Sequence, residues 1–377
     1  MDWFPRINRW SIAGVQIAGA MLASAQAAAA PRFRPAPEYT PTATVLLSAD
    51  LFAADYHAKE LVEAIVAAGA RVAVATNAPQ SPAELALALR AQGISSRSSA
   101  MVSSLHLPHG NIWMRDYAPL TAISTQQQLH FFDLIYDDPA TKLNDRVPQE
   151  LGRLLSVPVT ALALALDGGN FLTNGDLCFS SSTDVPASKD AALGKGLANM
   201  GCRKTIVFTA PPHVHLDMWA KIVNDHQVLV NELDERTMAV AGKIYGHIPP
   251  ELQELRDSLN QKAVAWSHYL EVTRLPMPLP YRGAFRTYSN AVLVNGHAIV
   301  PSYQRFGWNY DSYPDAELAS YYAEKVRKIY ESLGFNVQTV NADGLIYNGG
   351  AFHCVTAQLP KIRTAPSIHT NQGRKGH

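Results

Sequence analysis

Thr44-Val45-Leu46-Leu47, then Tyr56 to Ala67, then Arg71-Val72-Ala73-Val74-Ala75: this stretch reads as a buried strand, a helix and a second strand. Pro82 to Leu89 continues it as a second helix that runs out by Gly93. Apolar runs alternating with helical periodicity are the pattern of an α/β fold. Further along, strand pairs replace the simple alternation. Phe171 to Phe179 is broken by Asn174-Gly175-Asp176, and Ala291 to Val300 by Asn295-Gly296, both hairpin signals. Helical patterning returns at Lys189 to Asn199, Pro250 to Lys262 and Asp315 to Leu333, with no break in composition that would mark a second domain. Asp167-Gly168-Gly169-Asn170-Phe171 is echoed by Asn348-Gly349-Gly350-Ala351-Phe352, and Val228-Leu229-Val230-Asn231 by Val292-Leu293-Val294-Asn295. Such echoes fit a ring of similar β-β-α units.

Composition narrows the class. The chain has 377 residues, 47% hydrophobic and 17% charged, which suits a packed core and excludes a disordered chain. Lys+Arg and Asp+Glu are both 32, so there is no basic footprint for nucleic acid, although a locally acidic pocket remains open. At the N-terminus, Arg6 and Arg9 precede the mostly apolar Trp10 to Leu22 and the small residues Ala23-Ser24-Ala25. This is the n-h-c pattern of a signal peptide over residues 1–30, cleaved between Ala25 and Pro31, and it predicts a secreted or periplasmic protein. The alternative is an uncleaved anchor, but the stretch is short and rich in Ala and Gly. No other segment is long and apolar enough to cross a membrane, so stable membrane insertion is not expected. Residues 31–42 carry Pro31, Pro35, Pro37 and Pro41 and read as a linker, residues 43–360 as a single catalytic domain, and residues 361–377 as a disordered tail. In an exported chain, three cysteines leave one unpaired. Cys178 and Cys202 could pair, and Cys354 would then be the free thiol.

Four segments concentrate unusual residue types. Trp113-Met114-Arg115-Asp116 follows His109-Gly110-Asn111 and reads as a loop entering a strand. It either presents an aromatic face and a carboxylate to a ligand, or is a surface Arg115–Asp116 pair over a buried Trp. His213-Val214-His215-Leu216-Asp217, if extended, places His213, His215 and Asp217 on one face. Those residues suit an acid/base histidine beside a positioning carboxylate, or a zinc site; a further cluster at ligand spacing is missing, which ranks acid/base chemistry first. Tyr288-Ser289-Asn290 leads into an apolar strand and in isolation is a strand-start turn. In Gly349-Gly350-Ala351-Phe352-His353-Cys354 the paired glycines permit positive φ and close approach to a ligand, with a Cys just beyond. A core cysteine is the competing reading.

Taken in order, Trp113-Met114-Arg115-Asp116, His215-Leu216-Asp217-Met218-Trp219-Ala220-Lys221, Tyr288-Ser289-Asn290 and Gly349-Gly350-Ala351-Phe352-His353-Cys354 resemble the agmatine deiminase and Porphyromonas-type peptidylarginine deiminase family. The resemblance runs from about Ala43 to Pro360. It implies a pentein-type fold, a five-bladed α/β propeller with pseudo-fivefold symmetry and a central active site, and no metal or organic cofactor. It implies that Asp116 and Asp217 grip a guanidinium with paired hydrogen bonds, and that Trp113 lies against the cation or its aliphatic stem. Cys354 would attack the central carbon, giving a covalent thiouronium. His215 would protonate departing ammonia and then deprotonate water, and Asn290 would orient the nucleophile. His353 carries no implied role, its side chain being expected on the opposite face of a strand.

Agmatine deiminases of this family carry a Trp-Gly-rich segment after the first motif. The corresponding stretch here is Phe131-Phe132-Asp133-Leu134-Ile135-Tyr136-Asp137-Asp138-Pro139, which lacks it. With the export signal and the His-x-Asp-x-Trp-Ala-Lys run, this favours arginine in peptides or proteins over agmatine. The peptidylarginine type also grips a C-terminal carboxylate with downstream arginines. Here that region is Ala140-Thr141-Lys142-Leu143-Asn144-Asp145-Arg146, so C-terminal specificity is not supported. A calcium requirement is not implied. The rival readings are agmatine deiminase, a metal-dependent hydrolase built on His213, His215 and Asp217, and a non-catalytic guanidine-binding protein.

Overall fold

A computed structural model describes residues 32–53, 56–136, 142–182, 187–209, 214–304 and 313–362. The signal-peptide stretch, most of the basic tail, His213 and Asp137-Asp138-Pro139-Ala140-Thr141 lie outside the described residues.

The fold is mixed α/β, and one connection pattern recurs in five sheets. Leu120–Ser124 pairs antiparallel with Leu129–Ile135, which pairs parallel with Val159–Ala165. Phe171–Thr173, Leu177–Ser182 and Lys204–Thr209 repeat that order. So do Ala220–Ile222, Gln227–Glu232 and Glu271–Pro276, and Val292–Val294, His297–Ser302 and Asn336–Asn341. In the remaining sheet the antiparallel pair joins the two ends of the chain. Ala357–Pro360 lies against Thr42–Ser48, which is followed by parallel Arg71–Thr76 and Val102–His106. A parallel neighbour demands a crossover, and helices supply each one: Ala58–Ala67, Pro82–Ala91, Val147–Leu155, Ala187–Ala198, the pair Glu235–Tyr245 and Pro250–Ser267, and Ala316–Ser332.

Local chemistry explains these elements. Asn295 and Gly296, at φ 48° and 78°, make the tight turn the sequence predicts. Ala316–Ser332 turns Leu318, Ala319, Tyr322, Val326 and Tyr330 inward, a helical stripe. Pro250–Ser267 runs past Lys262 because Ala263 and Trp266 continue its buried face. Pro82 starts its helix behind a reciprocal cap between Ser81 and Glu84. The stretch expected to be a linker belongs instead to the fold. Phe33–Pro35 pairs as an edge strand with Leu120–Ser124, a position that tolerates Pro35 because no ladder donor is needed there, and Glu38 enters the interior.

Cys178 and Cys202 form a disulfide with Cα atoms 5.6 Å apart, and Cys354 is free and buried. Closing a loop over a separation of 24 residues contributes about 3 kcal/mol by chain entropy. Among the described residues no helix is long and apolar enough to cross a membrane.

Candidate active site

Each third, parallel strand runs into a short irregular segment before the next hairpin, and these segments converge. The segment after Val102–His106 is held from beneath by His109, which is buried and hydrogen-bonds Ser48 Oγ at 2.6 Å and the Leu107 carbonyl at 2.9 Å. Asn111 Oδ1 accepts from the Trp113 amide, and Met114–Tyr117 forms one helical turn rather than leading directly into a strand. That turn sends Arg115 and Asp116 in different directions. Arg115 donates to Gln358 Oε1 at 2.7 Å, and its amide bonds the Cys354 carbonyl. Asp116 is buried, with Oδ1 3.2 Å from the Gly169 amide and 3.3 Å from His215 Nδ1. An Arg115–Asp116 surface pair is therefore excluded.

Gly168 and Gly169 allow this approach. A Cβ on Gly168 would lie 2.1 Å from the Arg115 carbonyl oxygen, and one on Gly169 would lie 2.7 Å from both Asp116 Oδ1 and His215 Nδ1. Asn170 Oδ1 accepts from Ser181 Oγ and the Leu216 amide, tying this segment to the next. There the condition that would align His215 and Asp217 on one face of an extended segment is not met: the chain turns at Leu216–Met218. The turn buries Asp217 completely and leaves His215 between two carboxylates, with Nε2 3.2 Å from Asp167 Oδ2.

Asn290 is more than a strand-start residue. Its Oδ1 accepts from the amides of Ala351, His353 and Cys354 at 3.1–3.3 Å, and its Nδ2 lies 3.2 Å from Cys354 Sγ. The segment before it is anchored by Arg286, fully buried and paired at 2.7 Å with Asp315. Gly349 has φ 105°, and a Cβ on Gly350 would sit 2.6 Å from the Trp113 ring and 2.9 Å from Cys354 Cβ. These glycines bring Trp113, half-buried, against the thiol. Cys354 Sγ lies 3.6 Å from Asp217 Oδ2 and 3.8 Å from Met218 Sδ. All six residues singled out by the sequence, Trp113, Asp116, His215, Asp217, Asn290 and Cys354, thus meet in one place. His353 does not sit on the far face of a strand. The chain turns at this point, and His353 Nδ1 lies 2.5 Å from Asp217 Oδ2.

The charges are strongly coupled. Burial opposes a cation at His215, but Asp116 and then Asp167 overcome it and raise its pKa to about 11. Burial pushes the Asp116 carboxyl up, against the pull of His215. Burial also works against the Asp217 carboxylate, yet the hydrogen bond and charge of His353 hold it below its usual range. The Cys354 thiol is driven well up by burial and by Asp217 and Asp116, with Asn290 opposing. This site therefore holds a protonated thiol, an imidazolium and buried carboxylates, an arrangement poised to receive a further cation. Asp217 Oδ1 is buried with no hydrogen-bond partner among the described residues, and a buried acceptor of this kind calls for a donor. No group of three or more metal-ligating side chains occurs among the described residues, and His213 lies outside them.

Asp167, Glu38 and the Arg286–Asp315 pair were not singled out by their residue types. Only Asp167 left a trace, as the first residue of the Gly-Gly-Asn echo. Lys142 and Arg146, the candidate substitutes for a carboxylate grip, are exposed. Asp167→Asn removes one of the two carboxylates that keep His215 protonated. A raised pKa means that the cation persists as pH rises until its pKa is passed. The variant is therefore expected to lose activity at lower pH than the parent, with its acid limb unmoved. A pH profile of kcat with an unshifted basic limb would dissociate Asp167 from His215.

A family model described as Porphyromonas-type peptidyl-arginine deiminase matches residues 39–360. No curated protein matches the chain. Among solved structures it resembles the agmatine deiminase of C. jejuni at 17% identity and TM-score 0.64, over 87% of this chain and 96% of that one. It resembles the agmatine deiminase of Enterococcus faecalis at 16% and 0.66, over 88% and 96%. A Porphyromonas gingivalis protein provisionally named an arginine deiminase matches at 18% and 0.65, over 87% and 98%. At these identities the structures speak for the fold alone.

Proposed function

The chain belongs to the Porphyromonas-type peptidyl-arginine deiminase family, and we propose that it converts peptidyl arginine to peptidyl citrulline with release of ammonia, outside the cytoplasm. The observation that carries the chemistry is the pairing of Cys354 Sγ, 3.6 Å from Asp217, with the unpartnered, buried Oδ1 of that same carboxylate. A guanidinium is a fork of donors on a fixed cation, and Asp217 and Asp116 are the acceptors it needs. Its charge offsets the two carboxylates that hold the Cys354 proton on, so substrate binding releases that proton to bulk water and leaves the thiolate. Thiolate sulfur bonds to the guanidinium carbon, and the C=N electron pair moves to nitrogen. His215 gives its proton to the departing nitrogen, the C–N bond breaks, ammonia leaves and a thiouronium remains. Water then adds to the carbon as His215 takes one of its protons; the C–S bond breaks as the ureido C=O forms, and the remaining hydroxyl proton goes to sulfur to restore the thiol. Substrate bound to Asp116 also weakens that carboxylate's hold on the imidazolium, which brings His215 toward a pKa suited to proton transfer.

Peptidyl arginine is preferred to agmatine on the sequence of Phe131 to Pro139 and the run from His215 to Lys221. The Cys178–Cys202 disulfide supports export. The five sheets of like connection, each feeding one segment to the site, support a pentein arrangement around a common centre.

The test is ammonia release in EDTA from agmatine, free arginine, and peptides with internal or C-terminal arginine. Turnover of an arginine peptide in chelator is the expected result. Turnover of agmatine alone would move the substrate to the polyamine branch, and silence on all four would refute the deiminase reading.

A further inference from the structure

Asp217 cannot be an isolated anion. It is fully buried, and an unpaired carboxylate at such a site costs several kcal/mol. His215 is engaged by Asp116 and Asp167. The charge that faces Asp217 comes from His353, itself buried, whose other ring nitrogen, Nε2, lies 3.1 Å from Glu38 Oε2. Glu38 also accepts from Lys221 Nζ at 2.6 Å and from the Leu293 amide at 3.0 Å. Lys221 is fully buried too. A continuous buried chain of alternating charge, Lys221–Glu38–His353–Asp217, thus ends at the nucleophile. Its second member, Glu38, lies in the Pro-rich segment expected to be a linker outside the catalytic domain.

The hydrogen-bond inventory sets the state of the ring. An ionised carboxylate only accepts, so a ring held between two of them must donate from both nitrogens. Lys221 Nζ, 2.6 Å from Glu38, gives that carboxylate a cation apart from the ring. Burial opposes the charge on both carboxylates; His353 and Lys221 bring Glu38 far below its usual range, and the hydrogen bond and charge of His353 lower Asp217.

We propose that His353 and Glu38 are positioning residues: His353, bridging the two carboxylates as an imidazolium, keeps Asp217 ionised and points its free oxygen at the substrate cation. This rests on the deiminase reading for the identity of that cation. It does not rest on it for the state of the ring. The groups facing this ring and its two carboxylates are Cys354, His215, Asp116, Lys221, Arg115 and Tyr330. Asp116, Asp217 and Glu38 are thereby matched by His215, His353 and Lys221. Loss of the His353 charge is relieved most directly by a proton on Asp217. A cavity of about 60 Å³ borders His353, Glu38 and Arg115 on the side away from the thiol. It is roomy enough for water, so protons can reach the ring without crossing the substrate site.

Two measurements separate this inference from the deiminase reading. The first is imidazole nitrogen NMR on histidine-labelled protein, with His353 assigned by its loss in His353→Gln. Both ring nitrogens are expected to be protonated in the parent at neutral pH, and one to lose its proton in Glu38→Gln at the same pH. A neutral His353 ring in the parent would overturn the proposal whatever substrate the enzyme takes. The second is the pH profile of the parent, His353→Gln and Glu38→Gln on whichever guanidine is turned over. The acid limb of kcat/KM is expected to move up by about one pH unit in His353→Gln, a tenfold loss below neutrality. The loss should fall on KM rather than kcat, with a smaller shift in Glu38→Gln. A uniform fall in kcat with an unmoved acid limb, in a variant that keeps its fold, would assign both residues a purely structural role.

Discussion

Cys354→Ala should lower kcat on the order of 10⁴-fold or more while leaving the affinity for the guanidinium substrate within a few-fold of the parent. The thiol makes the one covalent bond in the proposed sequence, and nothing within its reach can replace it. Met218 Sδ, at 3.8 Å, carries no proton to lose, and the carboxylates are turned toward the cation site. Affinity survives because the grip belongs to Asp116, Asp217 and Trp113; Asp217 touches Sγ at 3.6 Å but keeps its bond to His353 without it. Removing the thiol even relieves a conflict, since a buried sulfur beside two carboxylates resists ionisation. Single-turnover ammonia release and calorimetric titration read the two halves separately. Residual turnover within about tenfold of the parent would assign the attack to another group, such as an activated water.

Asp217→Asn is expected to be the most costly change at a position that forms no covalent bond. It removes the acceptor with the free oxygen and leaves His353, buried, facing a neutral amide in place of a carboxylate. Breaking one side of a buried pair costs about 3–5 kcal/mol, so kcat/KM should fall on the order of 10³-fold. Stability should change with a distinct pH signature. The Asp217 carboxyl is lowered in the folded protein, so its stabilisation is complete above the ordinary carboxylate range and is lost as pH falls through the depressed value. The variant should therefore be less stable than the parent at neutral pH, and the gap should narrow in acid. Urea midpoints across that range provide the check. An equal gap at every pH would mean that Asp217 contributes shape rather than charge.

The apolar runs and the Asn-Gly turn stand in the sequence because strands and hairpins are local, so Val292–Val294 and His297–Ser302 could be read without knowing their neighbours. The six site residues were legible for a different reason. Each sits in a short motif with unusual neighbours, such as glycines beside a Cys or a His two residues from an Asp. Glu38 has no such company. Surrounded by prolines, it looks like part of a tether, and only the three-dimensional approach of Lys221 and His353 gives it meaning. His353 misled for a related reason. Strand alternation points it away from Cys354, but the backbone there is a turn pinned by Asn290, so both side chains reach the same carboxylate. Arg286 and Asp315 are 29 residues apart with the strands Val292–Val294 and His297–Ser302 between them, and no spacing rule links them.

The order of the segments along the chain has a consequence for biosynthesis. The groups that make the site arrive in succession, Asp116 first, then Asp167, His215, Asp217 and Asn290, and the nucleophile comes last, a few residues before the strand that closes the chain against Thr42–Ser48. Synthesis proceeds at about 5–20 residues per second, so for most of its time on the ribosome the nascent chain lacks Cys354, and Thr42–Ser48 has Arg71–Thr76 on one edge but not Ala357–Pro360 on the other. Contacts that join the two ends also make folding slow, since the largest loop must close before they form. On the proposed mechanism such a chain is inert until Cys354 is in place, and a truncation before Gly349 is expected to keep every carboxylate of the site and lose the proposed nucleophile.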